Sequence, residues 1–182
     1  MRALEAIEWF VNRLNCGLLE GAKWLSIICV VLMLGIVNVA VFQRYVMDDA
    51  LAWSEEIAKF VMVWLTFMSA PIGLKLGAHV GIEAFVQYLK GRARQCLLVL
   101  IFMGIIALMY VFVTEGWFMS WNARIQTAST IDISIFYVYI CMPIGCSLVA
   151  LVAFEFMLGA VKGVIDPEKA LTLPSQEQVL SE

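Results

Sequence analysis

Charge is what this chain has least of. Only 15% of its 182 residues are charged, against 63% hydrophobic, and its mean hydropathy is +0.90. A soluble globular domain of that composition could not cover its own apolar mass, so the sequence is that of an integral membrane protein. Histidine is nearly absent, with His79 alone. That excludes a four-helix haem protein with axial histidine pairs, and a catalytic zinc site with clustered ligands. The five cysteines, Cys16, Cys29, Cys96, Cys141 and Cys146, include no CxxC pair and read as small buried hydrophobes. There is no Ser/His/Asp set, no glycine-rich phosphate loop and no nucleophile beside a base, so an enzyme is not expected. The twelve basic residues are scattered among fifteen acids, for a net charge of −3, which leaves no basic face for nucleic acid.

What is present is a series of apolar runs. The sequence predicts an all-α membrane protein with four transmembrane helices over about 24–46, 55–75, 95–114 and 133–160, together residues 24–160. Residues 1–23 place Leu4, Ile7, Val11, Leu14 and Leu18 at spacings of three and four, the pattern of an amphipathic helix. Too charged to cross, and without a signal peptide's apolar region, it is expected to lie along the interface and stay on the mature protein. A second interfacial helix is expected over about 79–92, where Val80, Ile82, Phe85, Val86 and Leu89 oppose Glu83, Gln87, Lys90 and Arg92. Residues 115–132 read as an exposed loop or short surface helix, and 161–182 as a tail without the means to build a core. Lys59 and Lys75, at the two ends of the second run, are expected to snorkel outward, and Pro143 to kink the fourth helix.

Orientation follows from the cations. Arg2, Arg13, Lys23, Lys75, Lys90, Arg92, Arg94, Lys162 and Lys169 fall on one side, and only Arg44, Lys59 and Arg124 on the other. Both termini are therefore expected in the cytoplasm. The opposite face then collects Tyr45, Trp53, Trp117, Trp121, Tyr137 and Tyr139 as an aromatic belt.

The densest charge is in the turn between the first two runs, residues 44–64, with Arg44, Asp48, Asp49, Glu55, Glu56 and Lys59. Ser54 can cap the second helix, with Glu55 and Glu56 favoured in its first turn by the helix dipole, Glu55 four residues before Lys59, and Trp53 as an interfacial anchor. The same carboxylates can bind a cation, relay protons or dock a protein. Adjacent helical residues point about 100° apart, so one glutamate facing Arg44 and the other facing a partner is the natural division. His79 and Glu83 share a helix face and can form a hydrogen-bonded pair or meet a headgroup, but two ligands make no metal site. Glu155, inside the fourth run, is expected either to snorkel or to be paired, with a partner sought on Lys162 or on another subunit.

The order Asn38, Arg44-Tyr45, Trp53-Ser54-Glu55-Glu56, Lys59, Trp64 and His79-Val80-Gly81-Ile82-Glu83 resembles the DctQ-type small membrane subunit of tripartite ATP-independent periplasmic (TRAP) transporters, over about residues 20–160. The resemblance implies a bacterial inner-membrane protein bound to a large DctM-type membrane subunit and served by a periplasmic solute-binding protein, importing an organic acid such as a C4-dicarboxylate or sialic acid. It places the sodium and substrate sites in the large subunit, with no cofactor in this chain, which extends the scaffold against which an elevator moves. Arg44, Trp53, Glu55, Glu56, Lys59, His79, Glu83 and Glu155 are the candidates for assembly or docking, with membrane lipids as further partners. The competing reading is a self-sufficient homo-oligomeric transporter or channel. For a pore lining it has only Asn38, Thr66, Ser69, Ser147 and Glu155 to offer, few and far apart.

Overall fold

The computed structural model describes residues 2–49, 51–76 and 92–165. Helix α1 is Arg2–Val46, α2 is Ala52–Lys75 and α3 is Arg92–Asn122. A 3₁₀ turn, Ala123–Ile125, follows α3, then the short α4, Phe136–Tyr139, and finally α5, Cys141–Ile165. Four helical stretches are long and apolar enough to cross a bilayer: Trp9–Val46, Ala52–Lys75, Ala93–Ile125 and Phe136–Val164. The interfacial helix expected over 79–92 falls almost wholly outside the described residues.

α1 differs from expectation in having no turn near residue 23. It is one helix of 45 residues, about 67 Å at 1.5 Å per residue, more than twice a ~30 Å hydrocarbon core. Proline, which would end it, is missing from the segment, and Gly17 and Gly21 cost only helix propensity. Its inward edge runs through Val11, Asn15, Leu19, Ala22, Ser26, Cys29, Met33 and Ile36 at spacings of three and four. That edge is not the stripe expected for residues 1–23. Leu14 and Leu18 face outward with Trp9 and Phe10, and Asn15 is buried in their place.

The second half of the fold is built around α5, which packs on each of the other three long helices. Beside α3, Leu98 and Phe102 meet Val152, Ala153 and Ala160, with the Phe102 and Phe156 rings stacked at 5.5 Å. Against α2 the approach is closer. A Cβ on Gly145 would fall 2.6 Å from the Phe67 carbonyl oxygen and 2.8 Å from Phe67 Cβ. Pro71, buried in α2, lacks the N–H that would otherwise bond that same carbonyl. Proline and glycine thus make one contact: the first frees the oxygen, the second lets the neighbouring backbone reach it.

Two boundaries move. α3 continues through Trp117 and Trp121, expected in an exposed loop or a short surface helix, because nothing in residues 115–122 breaks a helix and Gly116 lies against Met142 and Pro143 of α5. The fourth run divides at Ile140, which puts Pro143 in the first turn of α5. There the missing N–H is one of the four that have no intrahelical partner, so the expected interior kink is replaced by a helix start. Cys29, Cys141 and Cys146 are buried as expected, whereas Cys16 and Cys96 are exposed.

Candidate functional site

The polar side chains gather at the two ends of the bundle. At the end formed by the α1–α2 turn, the chain reverses within five residues. Asp48 takes φ 54°, a left-handed conformation that aspartate tolerates, and the Met47 and Asp49 amides both donate to the Gln43 carbonyl. The reversal brings Arg44 Nη2 to 2.6 Å from Glu55 Oε1. Both side chains are more than half exposed, so the pair contributes little stability and serves instead to fix where the charges sit. Between them and Val37, Val41, Tyr45 and Leu51 lies an open cleft of about 250 Å³.

Ser54 does not cap α2. Leu51 occupies the N-cap position without a side-chain bond, and the buried Ser54 hydroxyl donates back to the Leu51 carbonyl at 2.7 Å. Leu51 has no side-chain acceptor, and Ser54 lies inside the first turn. The two glutamates divide as their angular separation requires, but with a different outcome for the second. Glu55 pairs with Arg44, while Glu56 turns to the connection after α3 and accepts the Ser129 amide at 2.9 Å, the Thr130 amide at 2.8 Å and the Thr130 hydroxyl. That connection is a small hairpin. Thr127 and Ser134 form an antiparallel bridge, with the Ala128 and Ile135 amides donating across it to Ile133 and Gln126. Trp64 makes a second tie, its indole N–H donating to the Tyr137 carbonyl at 3.0 Å. Trp53 and Lys59 remain exposed.

Glu56→Ala leaves two hairpin amides without their shared acceptor and should speed amide exchange at Ser129 and Thr130, with the helices unaffected. Exchange at wild-type rates would mean that the carboxylate does not hold the hairpin.

At the other end a second polar group joins three helices. Asn15 of α1, only 1% exposed, donates from Nδ2 to Glu155 Oε2 at 2.7 Å and to the Leu151 carbonyl at 3.2 Å. Lys75, the last residue of α2, reaches Glu155 Oε2 at 3.4 Å and Asn12 Oδ1 at 3.3 Å. Glu155 therefore has its partners within the chain, on α1 and α2, where Lys162 or another subunit was expected. Lys75 turns inward instead of snorkelling away, because the acid on α5 lies within ion-pair distance of it. Asn12 and Asn15 were not anticipated. The signal available was that Asn15 falls on the same spacing as Val11, Leu19 and Ala22, an amide in an otherwise apolar edge. His79 and Glu83 lie outside the described residues.

Between these ends, polar side chains bond their own helices. Asn38 donates to the Leu34 carbonyl, Thr66 to Met62, Ser69 to Thr66 and Ser147 to Pro143. Among the described residues no three histidines, cysteines or carboxylates come together.

Comparison with known proteins agrees with this architecture. The family of tripartite ATP-independent periplasmic transporters, DctQ component, matches residues 33–163. The C4-dicarboxylate TRAP transporter small permease protein DctQ of Rhodobacter capsulatus is 29% identical over 117 residues, 58% of this chain and 49% of that protein. The chain thus spans about half the length of that relative. The sialic acid TRAP transporter small permease protein SiaQ of Vibrio cholerae is 22% identical over 155 residues, 84% of this chain and 90% of that one. With four helices able to cross a bilayer and a family match over most of its length, the chain belongs to the DctQ component family: it is a multi-pass inner-membrane TRAP small permease subunit, not an enzyme.

Proposed function

We propose that this chain is the non-catalytic scaffold of a sodium-coupled, binding-protein-dependent importer of an organic acid, of the C4-dicarboxylate or sialic acid class named in its relatives. A large DctM-type subunit carries the sodium and substrate sites and moves against it, and a periplasmic solute-binding protein delivers the solute. Both termini lie in the cytoplasm, as the nine-to-three distribution of Lys and Arg favours. The carrying observation is the fate of the polar side chains. Asn38, Thr66, Ser69 and Ser147, the available pore lining, each bond backward to their own helix, and Glu155 is occupied by Asn15 and Lys75. What they leave toward the surroundings is apolar surface, suited to lipid and to another membrane protein.

Gentle detergent purification of the tagged chain from its host, with the masses of all copurifying species, tests this reading. A stoichiometric, very hydrophobic partner at least twice its size is the expected result. A stable homo-oligomer alone would overturn the scaffold and restore the channel. Within the complex, the exposed Asp48, Asp49, Trp53 and Glu55 form the face that meets the solute-binding protein, oriented by Arg44. Replacing Arg44, Glu55 and Glu56 together by alanine should bring uptake well below wild type. Full uptake in that triple variant would remove the turn from docking and assembly alike.

A further inference from the structure

The aromatic face at the far end of α3 is built differently from an ordinary interfacial belt. From Cys96 to Val113 the helix has no charged or amide side chain, about 27 Å of hydrocarbon-compatible rod, so the residues after Glu115 stand in the headgroup zone. There Trp117 and Trp121, one turn apart and both about half exposed, stack with ring centroids 6.4 Å apart at 18°. The stack continues into a cation: the Arg124 guanidinium carbon lies 3.3 Å from the Trp121 ring centroid. Two further bonds fix Arg124. Its Nε–H donates to the Trp121 carbonyl at 2.9 Å, and its own carbonyl accepts the Ser134 hydroxyl at 3.2 Å, tying the 3₁₀ turn to the hairpin. Among the described residues no carboxylate lies within ion-pair distance of it. The remaining N–H groups, on the two terminal nitrogens, are therefore held in one plane at headgroup level with no acidic partner. Beside them Ile125, 90% exposed, offers an aliphatic side chain to whatever approaches.

We propose that this corner is a phospholipid-binding site, with the lipid phosphodiester accepting hydrogen bonds from the Arg124 terminal nitrogens and the acyl chains lying along Trp117 and Trp121. The chemistry selects this ligand. A planar guanidinium with two terminal nitrogens free to donate matches the two non-bridging oxygens of a phosphate, and a guanidinium lying over the indole face keeps those donors in its own plane, available to an anion. The apolar ladder leading from the cation into the hydrocarbon zone suits an ion that carries tails, and not one that is free in solution. The site holds the α3–α5 corner at a fixed depth, at the same hairpin that Glu56 secures from α2.

The test uses native mass spectrometry of the intact chain in the complex in which it is purified, titrated with phosphatidylglycerol. As comparators it takes a glycosyl diacylglycerol of the same chain length, which has no phosphate, and inorganic phosphate. Arg124→Gln should weaken retention of one phosphatidylglycerol roughly tenfold, the loss of a charge-assisted hydrogen-bond pair. Arg124→Lys, a point charge without the planar fork, should fall between. Glycosyl diacylglycerol should bind wild type and variant alike, and inorganic phosphate should not displace the phospholipid. Equal phosphatidylglycerol retention by wild type and Arg124→Gln overturns the proposal. So does displacement by inorganic phosphate alone, which would make this a free-anion site. If Arg124→Gln fails to fold, Trp121→Leu decides: it removes the platform and keeps the cation, and undiminished phosphatidylglycerol retention in it is equally fatal.

Discussion

Gly145→Val is expected to leave little folded protein in detergent, and Gly145→Ala to lower the melting midpoint of the purified chain measurably. The reason is the approach of α5 to α2, where a single added carbon would sit 2.6 Å from the Phe67 carbonyl oxygen. The atom it meets is backbone in a helix interior and cannot rotate aside as the end of a side chain could, so one of the two helices has to shift. Overpacking of this sort typically costs about 1–3 kcal/mol, with the branched residue at or beyond the upper end. Gly116 offers the internal comparison. A methyl there would meet the flexible Met142 side chain at 3.2 Å and Pro143 Cδ at 3.3 Å, contacts a small adjustment relieves, so Gly116→Ala should be much milder. Pro71→Ala should not rescue Gly145→Ala, since restoring the N–H to α2 adds no room. Thermal unfolding of the four variants, followed by retention of the monodisperse peak, gives the comparison. Equal midpoints for Gly145→Ala and wild type would refute the close contact.

The second large effect is expected at the opposite end of the bundle. Lys75→Met strips Glu155 of its cation while the acid stays 13% exposed, and breaking a buried pair from one side typically costs about 3–5 kcal/mol. Because Lys75 is 28% exposed and water reaches the pair, the loss should fall at the lower end of that range. Glu155→Leu alone leaves Lys75 with Asn12 and a route to solvent, so it should cost less. The double variant, Lys75→Met with Glu155→Leu, removes both charges together and should recover most of the stability lost in Lys75→Met. The non-additivity is the signature. Were the two single effects simply to sum, the residues would be acting independently and the pair would have no energetic content. Asn15→Leu adds a check on geometry, since it deletes the amide that α1 donates to Glu155 and leaves the ion pair, with Asn12 beside it, intact.

These two sites differ in how far the sequence discloses them. The four crossings follow from length and apolar composition alone, because few other sequences contain runs such as 24–42 or 96–113. The Arg44–Glu55 pair was also accessible, since two adjacent helical glutamates cannot face the same neighbour. Glu56 was not: its partners are more than seventy residues away, in a hairpin recognisable only once Thr127 and Ser134 are seen to pair. Glu155 announced a need for a partner but not its identity. Lys75 has the usual position of a snorkelling residue at a helix end, and Asn15 was hidden in an amphipathic segment whose apolar stripe is offset from the edge that packs. The Pro71–Gly145 contact is of the same kind. Proline in one helix and glycine in another have no sequence relation, and only the crossing of α2 and α5 puts them together.

The central position of α5 has a consequence for how the chain is made. Ribosomes deliver helices in order, and α1, α2 and α3 emerge before the element on which each of them packs. Until α5 arrives, Asn15 and Lys75 lack their acid, the Phe67 carbonyl lacks its glycine and Leu98 and Phe102 lack the wall they close against. The nascent protein therefore passes through a stage in which three inserted helices carry unsatisfied seams into the bilayer. A chain cut or stalled before residue 141 is not a smaller version of this subunit but an open one, with the faces that α5 covers in the finished fold left to the bilayer.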